Sequence, residues 1–474
     1  MRTAVVVGSG PNGLAGAVRL AQAGLEVTVL EAADTVGGGT RTTERIVPGL
    51  LHDDCSAFHP TGVASPYLST LGLEQHGLRW LWPEVQLAHP LDDGRAGVVT
   101  QDFADSDRTL GGDARSWRRV FGPLARTFDK IAVDAMGPAV HVPKHPIAFG
   151  RFGPQALMPA TVTVRHWKDD PARGLYTGVA AHAFGRLDTP LSGSVGLMLA
   201  AAAHSVGWPV AEGGSRSIAD ALVSLLTTLG GSVRTGVRVT SRAQLREVVG
   251  HDPDVVLLDV APTGALDILG DDLPDRISRS FRRYKYGPAV HKVDYAIEGD
   301  VPWTNADCRR AGTLHLGGAA EEIAAIEAAT VRGEMPERPF ALIGQQYLAD
   351  PSRSAGSVNP VWAYAHVPAG FTGDATEALT AQIERFAPGF RDRIVGTFVR
   401  SASEMAAYNA NYVGGDISSG ANTARQIVFR PRIALNPYSL GIPGYYLCSS
   451  ATPPGGGVHG MGGFHAAESA LKRL

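Results

Sequence analysis

Three glycines and one carboxylate are spaced for chemistry at the start of the chain. In MRTAVVVGSGPNGLAGAVRLAQAGLEVTVLEA, an apolar run ends at Gly8, Gly10 and Gly13 follow, and Glu31 stands 23 residues after Gly8. Gly8 permits a tight turn. A side chain at Gly10 would hold a pyrophosphate off the backbone, and Gly13 lets a helix pack closely on a strand. Pro11 and Asn12 open that helix, whose free N–H groups and partial positive charge face the phosphates. Glu31 is placed for the ribose hydroxyls. NAD and FAD both fit this grip.

Three further features favour FAD. Gly37, Gly38, Gly39 and Arg41 follow within ten residues of Glu31 and can lie along a pyrophosphate. The tail PPGGGVHGMGG, followed by an alanine-rich run, offers a second cradle of backbone amides for a flavin. No second strand–GxGxxG–helix unit is present to hold NAD(P)H.

Four side chains are candidates for acid–base work. His459 lies inside the tail motif, where it can donate to a developing negative charge or exchange a proton. A histidine that only holds a neighbouring loop is an equal reading. His59, in SAFHP, can equally support the turn before Pro60. His291 is a further candidate, and Asp294 reads as a satisfied structural carboxylate within a strand. The 15 histidines show neither HExxH nor HxH, so no metal site is expected, and without GxSxG no hydrolase triad is supported. Cys55, Cys308 and Cys448 make no CxxC pair and read as buried small residues in a reducing, cytoplasmic compartment.

These residues need elements to place them. TAVVV reads as a buried parallel strand, PNGLAGAVRLAQ as a helix stopped at Gly24, and Glu26–Leu30 as the next strand. GGSRSIADALVSLLTTLGG reads as a helix with Ile218, Leu222, Leu225, Leu226 and Leu229 on one face, and SVRTGVRVTS and DVVLLDVAP as strands. KVDYAI and VWAYAHV suggest an antiparallel sheet. The tail reads strand, glycine turn, helix. The fold class is therefore α/β, α+β overall, with a Rossmann-type nucleotide domain assembled from separated pieces. A substrate domain on a mixed or antiparallel sheet is inserted between them. The expected divisions place the nucleotide domain at 1–88, 206–270 and 430–474, and the substrate domain at 89–205 and 271–429.

The 474 residues are 44% hydrophobic and 19% charged, with 57 glycines and a net charge of −3, which describes a globular chain with no general attraction for nucleic acid. TAVVVG is too short for a signal peptide core. Ser194–Val210 is interrupted by His204 and Pro209, falls short of a membrane span, and reads as a buried or cavity-lining helix; peripheral membrane contact stays open.

The motifs VVVGSGPNGLAGAVRLAQAGLEVTVLEA, VGGGTRT, EGGSRSIADALVSLLTTLGGSVRTGVRV and LCSSATPPGGGVHGMGGFHAAESAL resemble the phytoene desaturase, carotenoid isomerase and retinol saturase group of FAD-dependent oxidoreductases. HDDCSAFHP and YGPAVHKVDYAIEGDVPWTNADCRRAGTLHLGG resemble its bacterial phytoene-dehydrogenase-like branch, which is similar to the vertebrate pyridine nucleotide-disulphide oxidoreductase domain-containing protein 2. The resemblance implies a glutathione-reductase-like FAD domain. Gly8, Gly10, Gly13, Glu31, Gly38, Gly39 and Arg41 would then touch FAD, Val237 or Val239 would lie near the adenine, and Gly460, Met461 and Gly462 near the flavin. HDDCSAFHP stands where true desaturases carry an aspartate–glycine element, which argues against carotenoid substrates.

The expected function is an FAD-dependent oxidoreductase that desaturates, saturates or isomerises an apolar or amphipathic small molecule, with oxygen or a quinone reoxidising the flavin. An amine oxidase shares the scaffold but needs an aromatic cage; Phe464, Tyr445 and Tyr446 are the nearest aromatics in the tail. A non-catalytic flavin-binding protein is the third reading. Oligomeric state is not encoded in any motif.

Overall fold

A computed structural model describes residues 2–474. The opening run forms the strand Thr3–Val7, and Glu26–Leu30 pairs with it in parallel, Thr3 opposite Glu26. Val255–Leu258 joins the other side, and Ser232–Arg234 and Tyr445–Leu447 complete a five-stranded parallel sheet. Thr3–Val7 lies at the centre of this sheet. Its apolar residues are covered on both faces, as a parallel strand requires.

Close helix packing explains the small residues. Helix Pro11–Gln22 lies against helix Met461–Leu471 at the other end of the chain, and a Cβ at Gly463 would overlap the carbonyl of Asn12. A Cβ at Gly13 would overlap the carbonyl of Gly8. Gly24, at φ +85°, ends the first helix as expected. The helix Arg216–Thr228 buries Ile218, Leu222 and Leu226. Leu229 departs from the expected apolar face: it lies past the last helical turn, where the chain reverses at Gly230, and is 37% exposed. The strand expected over SVRTGVRVTS stops at Arg234, so Val237 and Val239 lie in a connecting loop.

KVDYAI and VWAYAHV fall within strands Ala289–Glu298 and Val358–Val367, which pair directly and antiparallel, with Asp294 opposite Trp362. They are part of a seven-stranded mixed sheet ordered Ile394–Arg400, Ala289–Glu298, Val358–Val367, Ala341–Gly344, Ala311–Leu316, Val85–Pro90, Ala96–Val99. Val85–Pro90 runs parallel to Ala311–Leu316 and spans the expected division at residue 88. One face of this sheet packs under helix Thr376–Phe386. The other, carrying Leu342, Trp362 and Tyr364, turns toward the nucleotide domain.

Residues 104–205, irregular by composition, fold as a helical layer. Helix Asp170–Ala180 sits on the sheet, and helix Ser192–Ser205 packs against it, burying Leu197 and Ala200–Ala203. Val195, Met198 and Leu199 of that helix line a cavity, as the sequence suggested. No helix among the described residues is long and apolar enough to cross a membrane.

Candidate functional site

The glycine turn and the second glycine cluster meet face to face. A Cβ at Gly38 would stand 3.0 Å from the Cα of Gly10, and one at Gly39 would overlap the hydroxyl of Tyr412. The Gly37 N–H donates to the Ser9 carbonyl at 3.1 Å. The result is a trough of bare backbone at the start of helix Pro11–Gln22. Glu31 closes one side. Its Oε2 accepts from the Ser9 N–H at 2.9 Å and the Ser9 hydroxyl at 2.5 Å, and its Oε1 accepts from the Ala33 N–H at 2.8 Å. Arg41 is tied to the carbonyls of Thr35 and Gly38 and lies 3.4 Å from Glu31 Oε1. The Val237 N–H donates to the Glu31 carbonyl at 2.8 Å, which brings Val237 and Val239 to the same wall.

His459 lines the same cavity. Its Nδ1 accepts from the Met461 N–H at 3.1 Å, which assigns the proton to Nε2. That Nε2 is buried and has no hydrogen-bond partner among the described residues. Burial pulls the pKa of His459 down to about 4, against the carbonyls of Gly455 and Gly456, so the ring is a neutral donor at pH 7.

A cavity of about 1190 Å³ joins these groups. Gly8, Gly10, Pro11, Asn12, Glu31, Gly38, Gly39, Arg41, Val237, Val239 and His459 all line it. Gly13, Gly460, Met461 and Gly462 stand behind the wall. Gly13 packs on the strand, Gly460 turns the chain at φ +68°, and the Gly462 N–H donates to Asn12 Oδ1 at 3.2 Å, tying the two ends of the chain together. His59 does not line the cavity, although Phe58 and Pro60 do. Its Nε2 lies 2.8 Å from the Ser215 hydroxyl, its Nδ1 3.5 Å from that of Ser56, and burial lowers its pKa to about 4.

HDDCSAFHP lies in a buried, charged knot. Asp53 pairs with Arg353, Asp54 with Arg400, and Asp294 with Lys292, beside His52. His291, on the same strand as Asp294, reaches Thr376 and Asp374 away from the cavity. Cys55, Cys308 and Cys448 are buried free thiols.

Sequence reasoning missed four groups of cavity residues. Asp259 follows strand Val255–Leu258 and sits at the glycine turn, its Oδ2 accepting from the Gly13 N–H at 3.0 Å. Burial pushes its pKa up to about 7; the Gly13 N–H opposes this and the charge of Glu31 adds to it. Trp362 and Tyr364 form the cavity floor, their rings edge to face with centroids 5.0 Å apart. The alternation in VWAYAHV was the signal for that shared face. His182 and Thr313 also line the cavity, as do Phe149, Phe152 and Leu191 of the helical layer. The nearest tail aromatics form no cage at the cavity: Tyr445 and Tyr446 are buried in the parallel sheet, and Phe464 lies tilted against Tyr67.

The fit to a dinucleotide rests on the bare glycine backbone that lines the cavity at the start of helix Pro11–Gln22, and on the unpartnered Nε2–H of His459 on the same cavity. The cavity exceeds the 300–1,000 Å³ or so of an ordinary ligand pocket, leaving room beyond a dinucleotide.

Residues 6–71 match the NAD(P)-binding Rossmann-like domain family. Over 99% of its length, the chain is similar to pyridine nucleotide-disulfide oxidoreductase domain-containing protein 2 of Rattus norvegicus, at 24% identity and covering 93% of that protein. It is 31% identical over 251 residues to hydroxyneurosporene desaturase of Cereibacter sphaeroides, covering 50% of this chain and 49% of the desaturase. Among solved structures, putrescine oxidase bound to putrescine superposes with a TM-score of 0.63 at 18% identity, covering 99% of this chain and 98% of the oxidase. The fold is that of a flavin-type oxidoreductase. Within that fold these similarities reach both a desaturase and an amine oxidase, so the substrate must be argued from the cavity.

Proposed function

We propose that the chain is an FAD-dependent oxidoreductase acting on an apolar or amphipathic small molecule. The observation that carries this reading is a single cavity that starts at the glycine trough and ends in a chamber lined by Phe149, Phe152, Leu191, Met198, Trp362 and Tyr364. FAD, when bound, supplies hydride transfer. The trough and the N-terminus of helix Pro11–Gln22 would hold its pyrophosphate, Glu31 its ribose, and the loop at Val237–Val239 its adenine. His459, neutral with its proton on Nε2, would donate a hydrogen bond to the flavin and stabilise negative charge there. The aromatic and aliphatic chamber orients the substrate and excludes water. Oxygen or a quinone would restore the oxidised flavin.

Exposed apolar side chains beside the cavity-lining segment, Val142 and Ile147 among them, support uptake of the substrate from a lipid surface. An amine substrate is less well served. Asp134, a carboxylate on the cavity wall, is already occupied by the Lys144 and His145 N–H groups at 2.7 and 2.8 Å, and Trp362 and Tyr364 meet edge to face.

Anaerobic mixing of the flavin-loaded protein with a panel of polyenes, apolar alcohols and amines tests the reading by loss of flavin absorbance. Bleaching by an apolar compound is expected. Bleaching by amines alone would transfer the protein to the amine oxidase reading, and inertness to the whole panel would favour a non-catalytic flavin-binding protein.

A further inference from the structure

Among the polar groups of the cavity wall, one histidine cluster is not used by the flavin chemistry above. His182 sits in the turn Ala181–Ala183, directly after helix Asp170–Ala180, and lines the cavity. Its Nε2 lies 2.9 Å from Nε2 of His315, a fully buried residue on strand Ala311–Leu316. Behind His315 is His89, whose Nε2 donates to the Gly318 carbonyl at 2.7 Å. The contact with His315 occupies Nε2 and leaves Nδ1 as the other ring nitrogen of His182.

Thr313 precedes His315 by two positions and shares its face of the strand. It is 0% exposed, lines the cavity, and its hydroxyl has no hydrogen-bond partner among the described residues. A buried hydroxyl left without a partner costs about 1–3 kcal/mol. The unpartnered Thr313 hydroxyl, with His182 on the same cavity wall, therefore points to a polar group on the ligand. The backbone beside them is strained: Phe184 holds φ +48°, a region a bulky side chain rarely adopts, while its ring lines the cavity and stacks on His366 with centroids 4.0 Å apart.

We propose that His182 and Thr313 bind a neutral oxygen group, a hydroxyl or carbonyl, on the apolar substrate, with His315 as the positioning residue behind His182. This rests on the apolar-substrate reading above and narrows it. The paired histidines share one proton between their facing nitrogens. If His315 donates it, His182 presents an N–H to the cavity; if His182 donates it, His182 presents a lone pair. A hydroxyl can meet either form. Burial lowers the pKa of His182 to about 3, with a further contribution from His366, so the group is uncharged at neutral pH. His315, His89 and His366 are the titratable groups packed around it, and burial holds the first two down as well. An uncharged imidazole gives a carboxylate no counter-ion. No group of three His, Cys, Asp or Glu side chains among the described residues, these histidines included, is arranged to hold a metal ion.

The test uses the purified full-length chain, with farnesol, α-farnesene and farnesoic acid as probes. Binding is read by quenching of Trp208 and Trp362, which line the chamber. Farnesol should bind at least about tenfold more tightly than α-farnesene, and equally well from pH 6 to 8. His182→Leu and the near-isosteric Thr313→Val should each remove most of that preference while leaving α-farnesene binding unchanged. Equal affinity for alcohol and hydrocarbon, tighter binding of farnesoic acid, no binding of farnesol, or equal loss of both probes in Thr313→Val would overturn the assignment. Flavin content measured on the same samples separates the two readings. A chain that holds FAD but ignores the hydroxyl keeps the flavoenzyme reading and loses this one. A chain that discriminates the probes without holding flavin does the reverse.

Discussion

Asp259 sets a pH dependence on the phosphate trough. Its carboxyl accepts from the Gly13 N–H, so it occupies the positive end of the helix that would also face a pyrophosphate. Its folded-state pKa of about 7 lies above the ordinary 3.8. The folded chain therefore binds more protons than the unfolded chain between those values, and the cofactor-free protein should lose stability as pH rises from about 4 to about 7. An arriving pyrophosphate favours the protonated carboxyl further. FAD affinity should hold below pH 7 and then fall by up to about tenfold per pH unit above it, in a fluorescence titration from pH 6 to 9. Asp259→Asn should flatten the profile and bind more tightly at pH 8; an unchanged profile would remove Asp259 from the trough. The trough glycines and Glu31 were legible because turn, helix and acidic residue lie in one short segment. Asp259 was not, because only strand pairing brings residue 259 beside residue 8.

Elements are held together by close approach and by buried charge. Gly463 packs on the carbonyl of Asn12, so Gly463→Ala must push helix Met461–Leu471 off helix Pro11–Gln22. A loss of about 1–3 kcal/mol is expected, read as a lower urea midpoint at unchanged slope. Gly24→Ala, at a site with open space but φ +85°, should cost less. Asp53 and Arg353 are both fully buried, and Asp53→Ala leaves that cation with Asp350 alone; about 3–5 kcal/mol should be lost. The parallel strands and terminal helices were readable from periodicity. The helical layer at 104–205 was not, since Pro123 and Pro154 sit inside its helices and small residues blur its apolar stripe. Trp362 and Tyr364 share a face by simple alternation, but which face meets the cavity depends on the sheet's partners.

For the whole molecule, glycine trough and aromatic chamber line one cavity, and exposed apolar side chains flank the segments that line it. Replacing Val142 and Ile147, 90% and 76% exposed, by serine should weaken sedimentation with phosphatidylcholine vesicles without altering the melting temperature. Unchanged sedimentation would assign the patch another role. Cofactor binding should raise stability by about 2.7 kcal/mol at a hundredfold excess of FAD over its Kd.

The flavin content of the desalted protein tests the central claim most directly. Visible absorption should show close to one flavin per chain, either as purified or after addition of FAD. Gly10→Val, whose Cβ would press on the Asp259 carboxylate at the glycine turn, should abolish it in a protein that still folds by circular dichroism. A wild-type chain that neither carries flavin nor takes it up would contradict the account.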